Sequence, residues 1–197
     1  MRPLSPPART PGNQEKKRID TMFDRWRNSH GFGVHSPFGY QLVERVVRRC
    51  RGYAYYAYDD IDRACSSSEH RIADKAKMLL RLVCFLRPVK VFLPAYTHKA
   101  FLIAIKRADS KTRFISNADK AVADCDMIAT RGDEIPLEWL CSFMSLPDRT
   151  LLINDAPQKW CDTVFETMNE GIMIRGRHNA IFISRSGMQK VSYLMYI

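Results

Sequence analysis

The chain has 197 residues, 46% of them hydrophobic and 11% aromatic, and its 31 Lys and Arg against 21 Asp and Glu leave a net charge of +10. That length supports one buried core without staples. No apolar run approaches the ~20 residues that a bilayer helix needs, so a membrane protein of helices is excluded and a soluble one expected. Six cysteines, Cys50, Cys65, Cys84, Cys125, Cys141 and Cys161, include no CxxC pair. This argues against a zinc module or a disulfide framework and points to a reducing, cytoplasmic setting.

Residues 1–15 are Pro-rich and polar, which predicts a disordered tail, and they lack the apolar stretch of a secretory signal. Residues 1–51 carry 11 basic and 4 acidic side chains, a surplus that suits nucleic acid, an anionic surface or simply a solvated region. Ile19, Met22, Phe23 and Trp26 mark one face of a first helix, expected to pack that stripe on the domain. In HGFGVHSPFGY, from His30 to Tyr40, Ser36 and Pro37 read as an N-cap and first helical residue. Phe38, Leu42, Val46 and Cys50 give that helix a buried side as far as about Arg51. His35 fits a base or ligand, or a histidine bonded to nearby backbone. Gly52 to Ser67 reads as a loop whose run YAYYAYDD fits either a stacking platform for rings or a lid over the sheet. Ser66 and Glu69 form a capping box that opens a helix ended by Pro88. Residues 16–67 are thus an N-terminal helical segment and lid, and 68–197 an α/β domain.

Val89 to Leu93 is a short β-branched run of the kind buried on both faces of a parallel sheet, and it is expected to lie centrally. Pro94 to His98 is the turn after it, and a helix follows from Lys99. Ligands of open α/β sheets bind at such a turn, though the residues here are Pro, Ala, Tyr, Thr and His rather than glycines. Thr112 to Ser116 and Asp126 to Thr130 read as further strands. They are linked by only about ten residues, so either that link is a stunted helix or the two strands are not neighbours. A helix from Pro136, the strand Thr150 to Asn154 and a helix bearing Trp160, Val164 and Phe165 come next. Gly171 to Arg175, Asn179 to Ser184 and Val191 to Ile197 are strands without helices between them. The chain therefore closes in an antiparallel hairpin, with Val191 to Tyr196 antiparallel at or near the edge.

This order of elements resembles the class I S-adenosylmethionine-dependent methyltransferases, a three-layer Rossmann-like fold with a mostly parallel sheet and an antiparallel C-terminal hairpin. Gly31 to Phe38 is similar to the HGVHSPF segment of a bacterial branch of such proteins, and the resemblance covers about residues 22–197. It implies S-adenosylmethionine as the cofactor, held at Leu93, Ala95, Tyr96, Thr97 and Asn117. Asp155 and His35 are then the catalytic candidates, with His98 as a further base. The family's motifs are degenerate here. Its first-strand acid falls at Leu93, its two glycines at Ala95 and Lys99, and its ribose-binding acid at Asn117. Arg131 stands where a carboxylate follows the fourth strand, and only Asn154 and Asp155 match the paired acids after the fifth. The short link after Ser116 implies the loss of one edge strand-helix unit. No metal is expected. The resemblance thus implies a methyltransferase-like protein with weak or no catalysis and a lost cofactor, acting on an unknown methyl acceptor. The alternative is a non-catalytic protein that binds a partner, and nucleic-acid binding is the weakest reading.

Overall fold

The computed structural model describes residues 22–31, 33–48, 55–94, 97–115, 123–132 and 134–197. The expected tail lies outside them, as do Ala95, Tyr96 and Asn117. Among the described residues one sheet holds seven strands: β1 (Lys90–Phe92), β2 (Arg113–Ile115), β3 (Met127–Arg131), β4 (Thr150–Asn154), β5 (Ile172–Arg175), β6 (Asn179–Ile183) and β7 (Val191–Leu194). Their spatial order is β2-β1-β3-β4-β6-β5-β7. β1, β2, β3 and β4 are parallel, and β6 runs antiparallel to both β4 and β5.

Strand residues alternate between two cores, because successive side chains leave a strand on opposite faces. Val91, Leu152, Ile181 and Ile183 join one core, and Phe92, Leu151, Ile153 and Phe182 the other. The first core is covered by α2 (Pro37–Leu42), α3 (Tyr55–Ala64), α4 (His70–Leu86) and α5 (Lys99–Ala108). The second is covered by α6 (Leu137–Met144) and α7 (Gln158–Thr167). The result is a three-layer α/β sandwich of Rossmann-like type, mostly parallel, with an antiparallel C-terminal hairpin.

Of the two alternatives for the strands with a short link, the structure takes the second: they are not neighbours, since β2 and β3 pair with opposite sides of β1. Other local expectations are corrected. The chain reversal lies between β5 and β6, while β7, at the edge, runs parallel to β5. The tyrosine-rich run is not a loop from Tyr55 onward. It forms α3, because Ala57 and Ile61, four residues apart and both buried, dock it into the first core. The helix expected from Ser36 to Arg51 becomes a π-helix at Val43–Val47, with the Arg48 amide bonded to the Val43 carbonyl. Ser36 caps its start as expected, its hydroxyl accepting from the Gly39 amide. The helix α1, over 22–29, turns its aromatic stripe outward: Met22, Phe23 and Trp26 are all exposed. The end of the helix makes polar contacts with β7 and the residues after it. The Tyr196 amide donates to the Ser29 hydroxyl at 2.8 Å, and Asn28 Nδ2 donates to the Leu194 carbonyl at 3.2 Å.

Candidate functional site

At the carboxyl end of β4 the chain leaves the sheet through Asn154 and Asp155, and β6 begins beside it at Asn179. Asn154 and Asn179 face one another across the antiparallel pair. Both are more than nine-tenths buried, and the Oδ1 atom of each has no hydrogen-bond partner. A buried acceptor left empty costs about 1–3 kcal/mol, so these two amides call for a donor from water or a ligand. Asp155 follows in a left-handed conformation, φ 53°. This turn swings its carboxylate toward α4, where Lys75 Nζ donates to both of its oxygens at 2.8 Å.

Lys75, Asp155 and Asn179 line a cavity of about 800 Å³. The amino-terminal half of α4 contributes Arg71, Lys75 and Met78, the β5–β6 turn contributes Arg177 and His178, and the end of α1 meets Tyr196 and Ile197 along another wall. The helix α4 runs antiparallel to the strands, so its first turns stand over their carboxyl ends, the usual ligand edge of such sheets. Arg71 and Lys75 share one face because they are four residues apart. The walls combine an excess of cationic groups over the carboxylates of Asp74 and Asp155, the buried amide of Asn179, and apolar surface. Such a lining suits an anionic small molecule that also carries a hydroxyl or amino group.

Of the predicted site residues, Asp155 borders this cavity. His35 is exposed and is not among the lining residues. Leu93 is 7% exposed and belongs to the first core, so its side chain fills the interior rather than a ligand crevice. The Thr97 amide closes a turn onto the Pro94 carbonyl at 3.0 Å. His98 is the N-cap of α5, its Nδ1 accepting from the Ala100 amide at 3.2 Å. Ala95, Tyr96 and Asn117 fall outside the described residues. Where the resemblance expects an acid after the fourth strand, the Arg131 amide is capped by the Glu134 carboxylate at 3.0 Å. The neighbouring Gly132 amide donates to the Asn154 carbonyl.

The sequence reading missed Arg71, Lys75, Asn179 and Arg177. The first two were legible as a polar i, i+4 pair on a helix otherwise read for its apolar face. The others needed the strand order, since Asn179 reaches Asn154 only because β6 inserts next to β4. A separate group, Cys65, Glu69 and His98, gathers near the end of β1. Burial pushes the Cys65 thiol up from its ordinary value, with Glu69 and Asp62 adding to the effect, so it is not an activated nucleophile. No family model, curated protein or solved structure matches the chain.

Proposed function

We propose that this chain is a methyltransferase-like protein that keeps the fold and a ligand cavity but not the cofactor chemistry, and that it binds an anionic small molecule. The observation carrying this reading is the ion pair between Lys75 and Asp155 at the cavity wall. Asp155 is the carboxylate that the resemblance supplies as a base, and both of its oxygens are engaged by an ammonium. Arg71 and Arg177 outweigh Asp74, the lining's other carboxylate, and this positive balance disfavours the sulfonium of S-adenosylmethionine and favours a phosphate or carboxylate.

Calorimetric titration separates the readings. S-adenosylmethionine and its demethylated product are expected to give no measurable heat of binding at millimolar concentration. Pyrophosphate, as an anionic probe, is expected to bind and to weaken at least tenfold in an Arg71→Ala, Arg177→Ala double variant. Micromolar binding of S-adenosylmethionine by the unaltered protein would restore the methyltransferase reading, and failure of pyrophosphate to bind would remove the anion reading.

A second reading, a protein partner, rests on the outward stripe of Met22, Phe23 and Trp26 on α1. Three exposed large apolar side chains on one short helix form the kind of patch that partners cover.

A further inference from the structure

We propose that Cys65, Glu69 and His98 form a zinc site with an open fourth position. One ligand atom from each of the three lies within 4.8 Å of the others. Tetrahedral zinc with bonds of about 2.0–2.3 Å needs ligand atoms about 3.3–3.8 Å apart. The cluster therefore has to close by only about 1 Å to grip the ion, a change that side-chain rotation supplies without moving backbone.

Each ligand is already fixed by its surroundings. The Cys65 amide donates to the Asp62 carbonyl in the turn that ends α3. Glu69 stands at the start of α4, where its Oε2 accepts from the Ser66 amide at 2.7 Å and from the Ser66 hydroxyl at 2.8 Å. That arrangement leaves Oε1 to face His98, whose Nε2 lies 3.6 Å away. The second oxygen of a metal-bound carboxylate is commonly held by such outer hydrogen bonds. All three side chains are partly exposed, so the site is reachable from solvent.

The donor set selects the metal. A thiolate, an imidazole and a carboxylate suit zinc, whereas magnesium and calcium favour oxygen ligands alone. Three protein ligands with water in the fourth place is the pattern of open zinc sites. Coordination through Nε2 moves the imidazole proton to Nδ1 and so gives up the bond from the Ala100 amide. At 3.2 Å that bond is long, and one neutral hydrogen bond is a small loss against three metal–ligand bonds. Cysteine spacing alone hides this group, because two of its three ligands are not cysteines and His98 comes from a different helix. With zinc in place, the junction of α3 and α4 is pinned to the start of α5, beside the turn that follows β1. The proposal does not depend on what the larger cavity binds.

The test uses the untagged full-length protein stripped with a chelator. Titration with zinc against a chromophoric chelator is expected to show one equivalent bound. Cobalt(II) is expected to give a thiolate-to-metal charge-transfer band together with the visible absorption of a four-coordinate ion. Cys65→Ser should abolish the charge-transfer band, and His98→Gln should weaken zinc at least tenfold, with circular dichroism and melting temperature showing that both variants stay folded. Absence of stoichiometric zinc uptake would overturn the proposal. So would an unchanged cobalt spectrum in Cys65→Ser, which would put the metal elsewhere.

Discussion

Arg81 is a charged side chain only 5% exposed, and the reason lies in the neighbouring π-helix. A π-turn shifts the hydrogen-bond ladder by one residue and frees a carbonyl inside the fold. Arg81 Nε donates to the Val46 carbonyl at 2.7 Å, and its Nη1 donates to the Tyr58 hydroxyl at 3.1 Å. One guanidinium thus ties α4 to both the π-helix and α3. Arg81→Met, which keeps the bulk but strands both partners, is expected to cost about 1.5–3 kcal/mol in urea denaturation. The burial of position 81 was not legible in the sequence, because nothing local announces a π-turn. The buried thiols carry a pH effect. Burial pushes Cys125 up to about 12 and Cys161 up to about 11 from an ordinary 9.0. The folded chain therefore keeps two protons that the unfolded chain releases above pH 9.0. Their contribution is fully present below that value and is lost as pH rises through the folded values, with a slope of up to about 1.4 kcal/mol per pH unit for each thiol. Denaturation curves for the unaltered protein and Cys125→Ala at about pH 8 and about pH 10 should show a shallower alkaline fall in the variant.

The strands were the most legible elements, because a sheet covered on both faces demands continuous apolar runs such as Leu151 to Ile153. Their partners were less so. Nothing within Val191 to Leu194 says that it pairs with β5 rather than β6, since pairing is decided by which edge is vacant. The helix α3 was hidden for another reason: its core contacts are small and few, and three tyrosines and three aspartates dominate its sequence. At the start of β5, Gly171 adopts φ 118°, and a Cβ there would lie 2.0 Å from the Ile183 carbonyl oxygen. Gly187 has φ 80° with nothing within 4 Å of the same added atom. Gly171→Ala is expected to exceed the ~1–3 kcal/mol of backbone strain alone, because it also pushes β5 off β6. Gly187→Ala should show the strain alone, and chemical denaturation of the two side by side reads the difference. The candidate site was half legible. Asp155 could be found as a polar residue at a strand end, whereas the Asn154 and Asn179 pair exists only in the folded register.

At the scale of the whole molecule, α1 and the segment after β7 hold each other. The Ser29 hydroxyl and Asn28 amide meet Tyr196 and Leu194, and the Tyr196 hydroxyl donates to the Met22 carbonyl at 3.3 Å. Ser29 and Tyr196 also line one wall of the cavity. Native-state hydrogen exchange should therefore show α1 and β7 opening together, well before β3 and β4, and removal of Tyr196 and Ile197 should speed exchange in α1 selectively. Unchanged exchange in α1 after that truncation would mean that the clasp carries little energy. The strand order bears also on how the protein is made. As the polypeptide leaves the ribosome, β1 to β4 can pair with strands already synthesised, since β2 and β3 join β1 and β4 joins β3. β5 has no such partner: its neighbours are β6 and β7, which come later. β4 meanwhile waits with one edge bare until β6 arrives in the opposite direction. Such an edge is a template for pairing with another chain. Nascent chains that stall between Asp155 and Asn179 are thus the ones most exposed to aggregation, and completion of the sheet is a late event set by its last two strands.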